Sequence, residues 1–403
     1  MIEAKNIRIA IKEERLRGLV RRHLRKLGFG RDSNGGLKPP ELDKSSYRKF
    51  HQGQREDKLD ANRTWLSKHE SKLIKWFADG AEIVPASINP QLELVKGGTW
   101  QANLFRLATL YWQVPVSEGY GRRLRFLVWD KTHNKLMGIF ALGDAVFNQS
   151  ARDGFIGWDH HRRSKSLVNL MDAYVLGAIP PYSHLLGGKL IASLIRTREV
   201  VDAFDARYGD SVGLISKQKK NARLLAVTTS SALGRSSIYN RLNLNGQKVF
   251  EPIGFTSGWG HFHFSGKIFE ELRQHLEYLD DDYAGTFNFG SGPNWRLRVI
   301  RRALACLGMD YKLVRHGLTR EVFISKIAKN AEDVLCGDST EAEYENLRTV
   351  SDIGVAARER WLVPRSERDS RYLSWKASDF LASIYGIPVV AEHQEAQKDE
   401  MGP

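Results

Sequence analysis

The run Leu170-Met-Asp-Ala-Tyr-Val-Leu-Gly-Ala-Ile constrains the fold more than any other segment of the chain. It is apolar almost without interruption and stops at Pro180-Pro181. Such a run reads as a strand buried on both faces, which requires a layer of structure on each side of its sheet. Upstream, Leu124-Arg-Phe-Leu-Val-Trp-Asp and Lys135-Leu-Met-Gly-Ile-Phe-Ala-Leu-Gly-Asp flank the turn Lys131-Thr-His-Asn and read as a hairpin. Downstream, the glycine loop His184-Leu-Leu-Gly-Gly-Lys leads into a helix whose apolar face carries Leu190, Leu194, Ile195, Val201 and Phe204. Leu224-Leu-Ala-Val-Thr-Thr then reads as a strand and Ser236-Ser-Ile-Tyr-Asn-Arg-Leu as a short helix. Phe250-Glu-Pro-Ile-Gly-Phe and His261-Phe-His-Phe close the region as a hairpin-like pair. This alternation predicts an α/β core on a mixed sheet.

The flanks are helical. Ile7, Ile11, Leu16, Leu19, Val20, Leu24 and Leu27 recur near helical spacing, with Gly28 and Gly30 as a stop, and the opposite face is a basic ridge. Residues 1–80 thus read as a basic helical N-terminal module and 81–268 as the α/β core. Residues 269–390 read as an α-rich C-terminal region and 391–403 as a tail. Within the third region, Gly290-Ser-Gly-Pro-Asn is a turn that starts a helix over Trp295–Leu307.

Composition narrows the function. No apolar run approaches the roughly 20 residues of a membrane span, and Met1-Ile-Glu-Ala-Lys lacks the layout of a secretion signal. The two cysteines, Cys306 and Cys336, form no CxxC pair, so neither a disulfide scaffold nor a structural zinc site is expected. A cytoplasmic protein is the expectation. Lys and Arg total 61 against 47 Asp and Glu, a formal net charge of +14. That excess favours a polyanionic partner, because neutralising phosphates releases counterions. The charge gathers in three places: Arg21, Arg22 and Arg25; Lys217, Lys219 and Lys220; and Arg298, Arg301 and Arg302. These clusters suit contacts to nucleic-acid phosphates, with DNA expected ahead of RNA. The first of them equally suits a solvated amphipathic bundle packed on the core.

Gly187 and Gly188 permit close backbone approach to an anion, and Lys189 adds a charge, which is how a strand–loop–helix holds a pyrophosphate. Tyr239 falls on the short helix after the next strand. The order of elements over 124–264 resembles the GNAT acyltransferase fold, which implies acyl-CoA at the glycine loop and Tyr239 as the acid that protonates the leaving thiolate. The loop departs from that family's Arg/Gln-x-x-Gly-x-Gly/Ala pattern, and a glycine turn with a packing tyrosine remains the alternative. Lys189 is followed by Leu190, so the loop is no Walker A motif. Asp144 and Asp159 flank Phe155-Ile-Gly-Trp, and acids at strand ends can gather metal or serve as a base, although they also cap turns. Asp130 and Asp172 belong to the same set of carboxylates. His160, His161, His261 and His263 lack the spaced carboxylate or cysteine of a metal site.

Five stretches, in order, resemble the DruA family of the Druantia antiphage defence systems. They are Gly154-Phe-Ile-Gly-Trp-Asp, His184-Leu-Leu-Gly-Gly-Lys-Leu-Ile-Ala-Ser, Leu233-Gly-Arg-Ser-Ser-Ile-Tyr-Asn-Arg-Leu, Pro252-Ile-Gly-Phe-Thr-Ser-Gly-Trp-Gly and Gly290-Ser-Gly-Pro-Asn-Trp-Arg-Leu-Arg-Val-Ile-Arg-Arg-Ala-Leu. The resemblance implies a defence role beside a large helicase-like partner and accessory proteins. Relatives beside transposase genes keep DNA strand cleavage or transfer at Asp144 and Asp159 open. The expected function is therefore nucleic-acid binding around a degenerate acyltransferase-like core, with active acyl transfer and DNA processing as alternatives.

Overall fold

The computed structural model describes residues 2–31, 33, 37–40, 43–119, 121–210, 212, 221–284, 295–344 and 347–387. Seven strands make one mixed sheet: β1 (Pro90–Leu94), β2 (Arg123–Asp130), β3 (Lys135–Asp144), β4 (Leu170–Ala178), β5 (Ala226–Ser230), β6 (Glu251–Phe255) and β7 (Glu321–Lys326). Their order is β1-β2-β3-β4-β5-β7-β6. Every pairing is antiparallel except that of β4 with β5. The expected hairpin is β2–β3, and the continuously apolar run is β4 at the centre of the sheet.

Both faces of the sheet are covered, as the composition of β4 requires. On one face Leu190, Ile191, Ile195, Val201 and Phe204 pack with Ile353, Trp361 and Leu362 against Phe126, Phe140, Leu142 and Met171. The helix expected there is broken at Leu194–Arg196 into Gly187–Ser193 and Arg198–Phe204. On the other face Leu66, Phe77, Phe105, Trp375 and Phe380 pack against Leu127, Ile139, Ala141 and Val175.

One expected pairing is corrected. His261–Phe264 is no strand, and β6 pairs instead with β7, from Glu251↔Ile324 to Phe255↔Glu321. The reason is burial. Val322, Phe323 and Ile324 are all wholly buried and suit a strand between two neighbours, β5 and β6. Phe262, His263 and Phe264 are buried too, but away from the sheet, in a helical lobe.

That lobe joins distant parts of the chain. Helix α1 (Ile2–Lys26) supplies Leu16, Val20 and Leu24, and the start of helix α2 (Lys44–Leu73) supplies Tyr47 and Phe50. They share one core with Phe269 and Leu272 of helix Lys267–Tyr278, and with Ile300 and Leu304 of helix Trp295–Cys306. Helix α2 has 30 residues, about 45 Å at 1.5 Å per residue. Its start lies in the lobe while Leu66 and Leu73 near its end lie in the core on the sheet. It is the strut between the two. Among the described residues no helix is long and apolar enough to cross a membrane.

The segment Gly154-Phe-Ile-Gly-Trp-Asp folds around a buried ion pair. Arg152 is wholly buried and donates from Nε and Nη2 to Asp153 Oδ1 at 2.8 and 2.5 Å. Its remaining donors reach the carbonyls of Val146 and Phe147 at 2.7 and 2.9 Å, and Arg163 Nη1 holds the second Asp153 oxygen at 2.7 Å. Removing one partner strands the other charge in the interior, which costs far more than the pair contributes. Arg152→Ala is expected to lower stability by about 3–5 kcal/mol. Denaturant unfolding followed by far-UV circular dichroism measures this, and a loss below about 1 kcal/mol would contradict the burial of the pair.

Candidate functional site

Strands β4 and β5 pair only through Leu170↔Ala226, Met171↔Val227 and Asp172↔Thr228. Beyond that point β4 follows β3 and β5 follows β7, so the two strands separate. Two threonines of β5 bridge the start of the gap. Thr228 Oγ1 donates to Asp172 Oδ1 at 2.8 Å, and Thr229 Oγ1 donates to the Ala173 carbonyl at 2.8 Å. A bulge in the β3–β4 register, between Ala173 and Val175, leaves Tyr174 without an opposite residue. Where the strands part, a cleft of about 920 Å³ opens.

Tyr239 lies on this cleft, as do Asp172 and Tyr174. The Tyr239 N–H donates to Ser236 Oγ at 3.2 Å, which fixes the short helix Ser237–Asn240. Its ring packs 4.9 Å from Phe250 and 5.3 Å from Phe323, and its hydroxyl has Thr229 as partner. Burial pushes the phenol up to about 12. Burial also pushes the Asp172 carboxyl up to about 6, outweighing the Thr228 hydrogen bond and the nearby Arg152 charge. The cleft is therefore lined by both a carboxyl raised to about 6 and a phenol raised to about 12.

The facing wall is basic and aromatic. Arg320 Nη2 donates to His51 Nε2 at 2.6 Å, while His51 Nδ1 meets Gln54 Oε1 at 2.8 Å. An amide oxygen only accepts, so the imidazole proton sits on Nδ1 and the ring is neutral. Burial, and then the Arg320 charge, pull His51 down to about 4. Arg48, Lys49 and Gln52 are exposed on α2 at the cleft, and Arg55 ties α2 to the last helix through the Ser383 carbonyl at 2.9 Å. Tyr111 stacks on Phe380 at 5.3 Å, and Trp112 stands edge-on to Tyr111 at 5.8 Å. Trp112 lies across Gly177 of β4, where a Cβ would come within 2.2 Å of the indole. Glycine is required there.

The other residues singled out from sequence sit elsewhere. Gly187, Gly188 and Lys189 begin the helix Gly187–Ser193 and do not line the cleft. The loop's amides are largely spent on itself: Leu185 and Gly187 donate to the Tyr182 carbonyl, Leu186 to Ser183 and Lys189 to Leu186. A Cβ on Gly187 would fall 2.6 Å from the Tyr182 oxygen, so this glycine serves the turn. Burial lowers the Lys189 ammonium, helped by Arg360 and Arg241. Asp144 accepts from the Arg122 backbone at 2.9 Å and from its Nε at 2.8 Å. Asp159 caps helix His160–Ser166 through the Arg162 N–H at 2.7 Å, and that bond lowers its pKa. Asp144 thus ties the end of β3 to the start of β2, and Asp159 closes its own helix. Among the described residues no group of three or more His, Cys, Asp or Glu side chains could hold a metal.

Arg21, Arg22 and Arg25 are exposed on α1, and Arg298, Arg301 and Arg302 are exposed on Trp295–Cys306. These helices share a core, so two of the three basic clusters belong to one lobe. Arg302 is paired with Asp281 at 2.8 Å and Arg301 lies 5.9 Å from the Tyr311 ring. Lys217, Lys219 and Lys220 lie outside the described residues. The sequence did carry a signal for Asp172, the lone acid in the apolar run. Arg48, Lys49, His51 and Arg320 had none, because only folding brings them to the cleft.

The raised Asp172 pKa has a measurable sign. The folded state keeps its proton to about pH 6, whereas the unfolded chain releases it near its ordinary value of 3.8. Stability from this group is thus present below about pH 4 and lost as pH rises through 6, by on the order of 2–3 kcal/mol. Asp172→Asn keeps an acceptor for Thr228 and removes the titration. Urea midpoints between pH 4 and 8 should fall less for the variant than for the wild type. Parallel pH profiles would contradict a raised Asp172.

A family model described as Druantia protein DruA matches residues 41–337. A Druantia protein DruA from Escherichia coli (strain UMEA 4076-1) is 52% identical over 378 residues, covering 94% of each chain. No solved structure matches the chain significantly.

Proposed function

The chain belongs to the Druantia protein DruA family, and from that premise we propose that it is a nucleic-acid-binding component of a Druantia antiphage defence system. One observation carries the binding: exposed Arg21, Arg22 and Arg25 stand on a helix that shares its core with the helix bearing exposed Arg298 and Arg301. Arginines clustered on one lobe suit phosphates at several points of a strand without reading its bases. DNA is the favoured partner, and the protein works in the cytoplasm with other Druantia components, among them a helicase-like one.

The sheet serves this reading as a GNAT-like scaffold. Its strand order, the short parallel contact of β4 with β5, and Tyr239 at their gap support that kinship. Those same features favour a second reading, acyl transfer from acyl-CoA with Tyr239 as acid. Against it, the loop at Gly187–Lys189 spends its amides within its own turn, where a pyrophosphate would need them.

Binding measured across a salt series decides the first reading. For duplex DNA, log K should fall linearly with log salt, with a slope of about −0.9 per phosphate neutralised. Replacing Arg21, Arg22 and Arg25 together with Ala should reduce that slope by about 3 and weaken all sequences alike. Binding that is absent, or indifferent to salt, overturns the proposal. Calorimetry with acetyl-CoA separates the second reading: no heat of binding is expected, and a saturable isotherm would restore acyl transfer.

A further inference from the structure

We infer that the cleft between β4 and β5 is a receptacle for one unstacked nucleotide of a single strand, with its base on Trp112 and its phosphate on Arg320. The inference rests on the nucleic-acid reading above and assigns part of the strand to a second place on the molecule. Arg320 is the central observation. Its guanidinium is half-buried on the cleft wall, and its side-chain partner is the neutral His51 ring. Among the described residues no carboxylate pairs with it. Burial lowers its pKa, the direction expected of a cation lacking a counter-ion. Even half-buried, a charge without an opposite charge is costly unless something completes it. A phosphate would do so and would engage the fork of donors that His51 leaves open.

The rest of the cleft matches a nucleotide better than a simple anion. Its volume of about 920 Å³ falls in the range of pockets that enclose ligands of this size. Trp112 brings aromatic surface to it, on which any base can stack. Arg48 and Lys49 are exposed beside it on α2, placed for the phosphates on either side of the bound nucleotide. Helix α2 starts in the basic lobe and carries Arg48 and Lys49 at the cleft, so one element links the two. Asp172 stands on the β4 wall, tied to Thr228, and is an acceptor for the exocyclic amine of a base. A paired, stacked base does not offer its ring faces. Single strands are therefore the ligand.

The test uses fluorescence-anisotropy titrations of the full chain with a labelled single-stranded DNA, the same sequence as duplex, and unlabelled mononucleotide as competitor. Arg48→Gln with Lys49→Gln, both exposed positions that leave the core intact, should weaken single-strand binding about tenfold and duplex binding less than twofold. Trp112→Ala should do the same by removing the stacking surface, and a thermal melt establishes that it is folded. Arg320→Gln should weaken single strands more than Arg320→Lys, which keeps the charge. Variants that bind single strands as tightly as the wild type overturn this inference while leaving the lobe's binding intact. A mononucleotide that competes more strongly than the single strand also overturns it. A wild-type chain that binds neither form overturns the nucleic-acid reading itself.

Discussion

The backbone contact between β4 and β5 ends after three residue pairs, at Asp172↔Thr228, and the cleft in the sheet follows from that ending. A parallel pair that continued would close the gap and cover Tyr239. Instead each strand keeps a different outer neighbour, β3 or β7, and the separation between those neighbours pulls them apart. Side chains take over where the ladder stops. Thr229 satisfies the Ala173 carbonyl that a backbone N–H would otherwise have met, and Thr228 satisfies one oxygen of Asp172. The cleft thus exposes strand edges without leaving these groups unpaired.

The second determinant is α2. It packs at one end with α1 and at the other with the face of the sheet, so the basic lobe and the cleft share one rigid element. Arg48, Gln52 and Arg55 recur at helical spacing along the side that faces the cleft. Lys58, one turn further, donates to the Val116 carbonyl at 2.6 Å, and burial lowers it to about 8. The helix therefore fixes the segment that carries Trp112 as well as presenting its own charges.

A further staple lies in the β2–β3 hairpin. Asp130 is wholly buried and accepts from His133 Nδ1 at 2.5 Å and from the Tyr182 hydroxyl at 3.0 Å. The arrangement resembles a catalytic relay, yet His133 Nε2 accepts the Val84 N–H at 3.1 Å and has no lone pair left for a substrate. Its work is structural: it anchors the hairpin to the turn that follows β4.

Much of the architecture was legible in the residues. The hairpin at Leu124–Asp144, the buried strand at Leu170, the strand before Ser236 and the amphipathic helix at Trp295 all carry local patterns that survive folding. Tyr239 was legible too, because its position follows from the order of elements. His261–Phe264 was misleading: alternation signals a strand only when a sheet edge is available, and Glu321–Lys326 occupied it. The sequence by itself determined a double-layered α/β core and a basic character, since both depend on composition and short-range periodicity. Tertiary structure alone decided which charges come together. Arg48, His51 and Arg320 meet at one wall across a long sequence separation, and no local pattern encodes a contact that exists only once β7 has inserted beside β5.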